Sequence, residues 1–333
     1  MKVVITGGTG FIGFRLAKRL LERGELTGPS GAPERIDELL LFDVGPAPEE
    51  LSAEGVDIKV VTGDISDRAT IDGLIDRDDI SIFHLASVVS GGGELDFDLA
   101  MRVNLTGGLN VFEAARARAQ HRNGGLPRVV FASSIAVFGG SAMAPVVGDF
   151  AKQTPQTTYG ITKTTCELLV NDYTRKGFFD GRSARLPTVI VRPGKPNAAA
   201  SSFASGVFRE PLNGEPCVVP VPPETVMPVL GHRSIVDGFI HLHELDGDAI
   251  GDDRAVQLPS HTVNVQDMID SLNRVAGDRQ LGEITIEPDP FIVAICQSWP
   301  QDCETGRADA LDFPKESGLD EIVRDFIEDY VDA

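Results

Sequence analysis

The 333-residue chain is short of cysteine, of positive charge and of long apolar runs, and each shortage removes a class of function. Its four cysteines, Cys166, Cys217, Cys296 and Cys303, are scattered, form no C-x-x-C pair and have no histidines at ligand spacing. No metal is therefore expected, and the cysteine usage is that of a reduced, cytoplasmic protein. No apolar stretch approaches the roughly twenty residues of a membrane span. The first residues already read as a strand, which leaves no room for a signal peptide. Thirty Lys and Arg stand against fifty Asp and Glu, a formal net charge of −20. Nucleic acid and anionic membrane are both polyanions, so neither is expected as a partner. Aspartate is used more than glutamate and arginine more than lysine, a bias that a high-salt cytoplasm or genome composition would each produce. Internal repeats and low-complexity segments are missing. The length suits one large α/β domain, or a dinucleotide domain with a smaller lobe.

What is present begins at the first residue, with M-K-V-V-I-T-G-G-T-G-F-I-G-F-R-L-A-K. Lys2 to Thr6 is a β-branched apolar run with no polar face, which predicts a strand buried on both sides. Gly7, Gly10 and Gly13 follow, and Phe11, Ile12, Leu16, Leu20 and Leu21 recur at helical spacing up to Gly24. A strand, a glycine turn and a helix in this order suit a dinucleotide. Gly7 supplies the turn's backbone angles, Gly10 lets the chain approach a pyrophosphate, and Gly13 lets the helix press on the strand. The helix N-terminus offers unbonded N–H groups to the phosphates.

Further strands are predicted at Glu38 to Phe42, Asp57 to Thr62, Ser81 to Ala86, Arg128 to Ala132 and Ala184 to Arg192, with Gly24 to Ala32 a surface loop and Ser90 to Gly93 a flexible tip. Helical periods run from Asp96 to Gln120 and from Thr157 through Tyr173. This alternation predicts an α/β fold with a parallel, doubly wound sheet, whose ligands sit beyond the carboxyl ends of the strands. Asp43, Asp64, Ser87, Ser134 and Pro193 all fall at such ends. Asp43 closes L-L-L-F-D, where a carboxylate would bond the adenosine ribose hydroxyls and repel a 2′-phosphate, favouring NAD. His84 reads as a packed strand residue.

Tyr159 and Lys163 are four apart and share a helix face. A free tyrosine, with a pKa of about 10, is a poor base, but a nearby ammonium and a nicotinamide charge favour the phenolate. Tyr159 could then take a proton from a substrate hydroxyl while Ser134 orients the same oxygen and Lys163 holds the nicotinamide ribose. Ser133 and Ser134 both stand at the strand end, and Ser134 is the one at the right distance before Gly139.

These motifs resemble the extended short-chain dehydrogenase/reductase family, the NAD-dependent epimerases and dehydratases. The resemblance rests on T-G-G-x-G-F-I-G, Gly63-Asp64-Ile65, His84 to Ser87, and Ser133 to Gly139 followed by Tyr159-x-x-x-Lys163. It implies a Rossmann-type sheet with a smaller C-terminal substrate lobe: residues 1–194 would bind NAD, with 232–245 packing back on them, and 195–333 would form the lobe. It implies NAD contacts from Gly7, Gly10, Phe11, Ile12, Gly13, Asp43, Asp64, Ile65, Leu85, Ala86, Ser87, Asn104, Tyr159, Lys163 and Pro193, and catalysis by Ser134, Tyr159 and Lys163. Phe138 stands where the family usually has tyrosine.

The Lys195 to Gly206 run, with Ser87 to Gly91 and Arg209 to Glu215, is similar to the bacterial D-erythronate dehydrogenases. That similarity implies NAD-dependent oxidation of the 2-hydroxyl of a four-carbon sugar acid to the 2-oxo acid. Ser134, Tyr159, Lys195, Asn197, Ser201 and Arg233 are the candidate substrate contacts, since a small carboxylate needs a cation or several donors. A nucleotide-sugar epimerase or dehydratase with tightly held NAD, and a non-catalytic NAD(H)-sensing protein, remain the alternatives. Family members often pair through their long helices, so a homodimer is expected.

Overall fold

The computed structural model describes residues 1–119, 125–195 and 199–332. Seven parallel strands form the main sheet, in the order Ala255–Gln257, Asp180–Leu186, Arg128–Ser134, Ile80–His84, Lys2–Thr6, Glu38–Asp43, Asp57–Thr62. The first strand lies between Ile80–His84 and Glu38–Asp43, so the order of succession reverses beside it. A cleft opens at the carboxyl ends of the strands at such a reversal.

Strand alternation accounts for the apolar character of Lys2–Thr6. Val3 and Ile5 enter one core, against the helices Phe11–Arg23 and His232–Glu244. Val4 enters another on the opposite face, against Arg68–Leu74, Gly107–Arg118 and Thr158–Arg175. All three valine and isoleucine side chains are fully buried. The helix Phe11–Arg23 stops at Gly24, whose left-handed φ of 74° lets its N–H bond the Leu20 carbonyl.

Several elements differ from the sequence expectation. Within the predicted Gly24 to Ala32 loop, Glu25–Thr27 pairs antiparallel with Pro33–Arg35. The predicted tip at Ser90 is a helix, Ser90–Leu95. The predicted helix from Asp96 is interrupted: Phe97–Ala100 runs into a wider π turn, Met101–Thr106, before Gly107–Arg118. Its predicted end, Gln120, lies outside the described residues.

The predicted strand Ala184 to Arg192 is two strands. Asp180–Leu186 stays in the main sheet, and Thr188–Ile190 joins a second sheet with Val226–Gly231 and His261–Asn264. Pro187 stands between them and has no N–H for a ladder bond. A second core forms around this small sheet, from Phe203, Phe208, Met268, Leu272, Ile322 and Phe326 among others. The helix His232–Glu244 places Ile235 and Phe239 in the main core with Val3. Residues beyond it do so too: Val256, Leu258, Ala308 and Phe313 pack there, and Ala255–Gln257 edges the main sheet. These residues fall in the stretch assigned to the smaller lobe, so segments beyond residues 232–245 also return to the main core.

Candidate active site

The glycine turn is built as its spacing requires. Gly7 has φ +73°, and a Cβ there would stand 2.8 Å from the Ala86 nitrogen. A Cβ on Gly13 would stand 2.1 Å from the Gly7 oxygen, so helix and turn can close only on glycine. Gly10 is different: its Cβ would meet the Gly7 oxygen at 3.3 Å and Asp43 Oδ2 at 3.9 Å, and otherwise faces open space. Gly10 also caps the helix Phe11–Arg23 with no side-chain bond, and the first turn carries no acidic residue. Its free N–H groups therefore face the opening with no carboxylate of the helix's own first turn beside them.

That opening is a cleft of about 490 Å³, lined by Gly7, Gly10, Phe11, Ile12, Gly13, Asp43, Asp64, Ile65, Leu85, Ala86 and Ser87. Asp43 is fixed at its strand end, accepting from the Thr9 N–H at 3.2 Å and the Val44 N–H at 2.7 Å. Bonds from the Ser66 N–H and hydroxyl hold the Asp64 carboxyl below its ordinary range. A bare pyrophosphate cradle with a carboxylate at the adenosine end fits NAD.

A second cleft, of about 330 Å³, shares Phe11 and Ile12 with the first and is lined by Ser134, Tyr159, Thr188, Arg192, Ser201 and Trp299 among others. Thr157 starts the helix that brings Tyr159 there, its Oγ1 accepting from the Gly160 N–H at 3.0 Å. The two serines at the end of Arg128–Ser134 point opposite ways, as consecutive strand residues must. Ser133 turns inward, buried, and donates to Glu167. Ser134 faces the same cleft as Tyr159, and its hydroxyl favours the ionised form of the Tyr159 phenol. Strand geometry thereby separates the two candidates.

Lys163 lies one helical turn from Tyr159, buried, its Nζ 5.4 Å from the centre of the phenol ring. Nζ donates to the Ala132 carbonyl at 2.6 Å. Burial pushes the Lys163 amine down to about 8, with Cys166 and Glu167 opposing. The sequence reading has the ammonium favouring the phenolate. In the folded protein burial wins: it pushes the Tyr159 phenol up to about 12, and the Ser134 hydroxyl only partly opposes it. The protein's own groups hold Tyr159 neutral at ordinary pH.

Other candidates lie elsewhere. Asn104 is buried in the π turn, where its Oδ1 accepts from the Val88 N–H at 2.7 Å and its Nδ2 donates to the Val88 carbonyl at 3.0 Å. It pins the strand-end loop next to Ser87 and lines neither cleft. Pro193 and the exposed Lys195 line neither cleft, and Asn197 lies outside the described residues. Arg233, expected at the substrate, is instead bound to Asp325 at 2.9 Å, Glu328 at 2.9 Å and Asp329 at 2.8 Å. That acidic cluster on the C-terminal segment satisfies its guanidinium away from the cleft. Among the described residues the cation in the cleft is Arg192, which sequence reasoning passed over at the predicted strand end next to Pro193; Thr188 and Trp299 were also missed. Among the described residues no three His, Cys, Asp or Glu are grouped to hold a metal, and all four cysteines are free and buried.

Comparison with known proteins shows the family. The chain matches the NAD dependent epimerase/dehydratase family over residues 3–249. It is 46% identical to a D-erythronate dehydrogenase of Cupriavidus necator over 329 residues, 99% of this chain and 98% of that protein. It is 39% identical to a D-erythronate dehydrogenase of Haemophilus influenzae, over 98% of this chain and 99% of that one. Among solved structures, a nucleoside-diphosphate-sugar epimerase from Agrobacterium tumefaciens superposes with a TM-score of 0.90 at 39% identity, covering 100% of this chain and 95% of the other. The holo form of a GalE-like L-threonine dehydrogenase from Cupriavidus necator superposes at 0.83 with 25% identity, covering 98% and 99%. With its glycine cradle, strand-end aspartate and Ser134–Tyr159–Lys163 group, this chain belongs to the NAD dependent epimerase/dehydratase family, and its cofactor is NAD.

Proposed function

We propose that the protein oxidises the 2-hydroxyl of a small sugar acid, D-erythronate, to the 2-oxo acid. The observation that carries this reading is that Ser134 and Tyr159 together line a small cleft that shares Phe11 and Ile12 with the dinucleotide cleft. Near-full-length similarity to two D-erythronate dehydrogenases supports the substrate.

Gly7, Gly10 and Gly13 would hold the pyrophosphate of NAD, and Asp43 its adenosine ribose. Bound there, NAD supplies the acceptor for the hydride leaving C2. Ser134 holds the 2-hydroxyl oxygen, and Tyr159 as phenolate takes the hydroxyl proton. The acid and oxidised NAD become the 2-oxo acid, NADH and one proton. Lys163, fixed by the Ala132 carbonyl, adds the positive charge that opposes burial of a phenolate. In the reverse direction the neutral Tyr159 is the proton donor to the ketone oxygen. The body around Phe203 and Met268 supplies Thr188, Arg192, Ser201 and Trp299 and acts as the substrate lobe. Half-exposed Ile161 and Leu168 on the helix Thr158–Arg175 support pairing of two copies through that helix, which light scattering would test.

The test follows NADH absorbance with D-erythronate, L-threonate, L-threonine and UDP-sugars. NADH formed from D-erythronate supports the proposal. An isomerised UDP-sugar with no net NADH would replace it with an epimerase, the activity named for the Agrobacterium relative.

A further inference from the structure

We infer that Arg192 receives the substrate's carboxylate and is the residue that selects acids over neutral polyols. The inference deepens the proposed 2-hydroxy-acid oxidation and rests on it.

In a 2-hydroxy acid the carboxyl carbon is bonded to the carbon that reacts. A hydroxyl held by Ser134 and Tyr159 therefore brings the carboxylate into the same cleft. Among the described residues, Arg192 is the one charged side chain lining that cleft. Most of the remaining wall is apolar, including Leu186, Pro187, Val189 and Trp299. A carboxylate placed there without a cation would lose its hydration and gain little in return.

Arg192 is also short of an anion. Most other described arginines of this acidic chain are paired, such as Arg15 with Asp329, Arg185 with Glu167 and Arg233 with three carboxylates, though Arg35 and Arg118 also bond only backbone oxygens. Arg192 makes no ion pair among the described residues, and the bond from its guanidinium runs to a backbone oxygen, that of Lys195, at 3.2 Å. Partial burial and the neighbouring Arg209 charge both lower its pKa, as for a cation that lacks a counter-charge. Its backbone is meanwhile held firmly. The Arg192 N–H donates to Ser205 Oγ at 3.0 Å, and its carbonyl accepts from Arg209 Nη1 at 2.8 Å. Both partners lie on the helix Ser202–Leu212, so the guanidinium is presented from a fixed base. A planar fork on a fixed base suits bidentate binding of a carboxylate.

The test compares wild type with Arg192→Met and Arg192→Lys. Calorimetry reads D-erythronate binding to the NADH-bound enzyme, and steady-state kinetics read kcat/KM for D-erythronate and for erythritol, its neutral counterpart. Arg192→Met is expected to weaken D-erythronate binding on the order of 100-fold and to lower the acid-to-polyol ratio of kcat/KM by a similar factor. Arg192→Lys should recover part of the loss. Unchanged NAD affinity in both variants reports an intact fold. Wild-type binding and selectivity in Arg192→Met would overturn the assignment. If wild type makes no NADH from D-erythronate, the reaction proposed above fails, yet calorimetry still decides the arginine: binding lost in Arg192→Met upholds it, and no binding to wild type overturns it.

Discussion

Lys163 Nζ stands 5.4 Å from the centre of the Tyr159 ring, yet its hydrogen bond goes to the Ala132 carbonyl, 2.6 Å away. The lysine is thus tied to the end of the serine strand and reaches the phenol through its charge. Both groups are penalised by burial, the amine down to about 8 and the phenol up to about 12. Such a pair is poised by whatever further charge enters the clefts.

The depressed Lys163 pKa makes stability depend on pH. Below about 8 the amine is charged both folded and unfolded, and its burial cost is felt in full. Between about 8 and the ordinary value of 10.5 the unfolded chain holds a proton that the folded chain has released, so this group's contribution to stability rises with pH. Urea unfolding of wild type and Lys163→Met should diverge in pH dependence across that window. Wild type should gain on the order of 2–3 kcal/mol relative to the variant.

Gly10 and Gly13 should respond differently to alanine. At Gly13 the new Cβ would lie 2.1 Å from the Gly7 oxygen, so the turn must open, and both melting temperature and NAD affinity should fall. At Gly10 the nearest protein atom is 3.3 Å away, and the space beyond belongs to the cleft. Gly10→Ala should melt within a few degrees of wild type and still bind NAD at least about 10-fold more weakly, because the methyl meets the pyrophosphate. Thermal melts and NAD titration check both.

Asp43→Asn keeps an acceptor oxygen for one of the two N–H groups, since Thr9 bonds Oδ2 and Val44 bonds Oδ1, and removes the charge that would repel a 2′-phosphate. The ratio of kcat/KM for NADP to that for NAD should rise on the order of 10-fold or more. An unchanged ratio would remove Asp43 from cofactor choice.

Glu167 lies one turn beyond Lys163, fully buried, and accepts from Arg185 Nη2 at 2.8 Å as well as from Ser133 and Gln153. The Arg185 guanidinium in turn lies 5.3 Å from the Phe138 ring. Glu167→Gln leaves a buried guanidinium without its counter-charge. Denaturant unfolding should show a loss of about 3–5 kcal/mol.

Much of this was legible in the sequence, for local reasons. The strand, the glycine turn and the helix that make the dinucleotide cleft are neighbours in the chain, and glycine there answers to contacts a few residues away. Tyr159 and Lys163 are set by helical spacing. Placement that depends on distant partners was not legible. Arg233 looked available until Asp325 and Asp329, some ninety residues on, were folded against it. Arg192 looked like part of a strand end, and its standing as the cleft's cation comes from the break at Pro187, which carries the chain out of the main sheet. The short helix Ser90–Leu95 was hidden because three glycines in its sequence read as a loop.

The most direct test of the account is a spectroscopic titration of tyrosinate. The chain has three tyrosines. Burial pushes Tyr159 and Tyr173 up to about 12 and raises Tyr330. Without cofactor, then, no tyrosinate signal should develop below about pH 10. Saturating oxidised NAD should bring the ionisation of one tyrosine down into a lower range, and Tyr159→Phe should abolish that step while still binding NAD and losing turnover by roughly 100-fold or more. Identical titrations of wild type and Tyr159→Phe in the presence of NAD would contradict the claim that Tyr159 is the base.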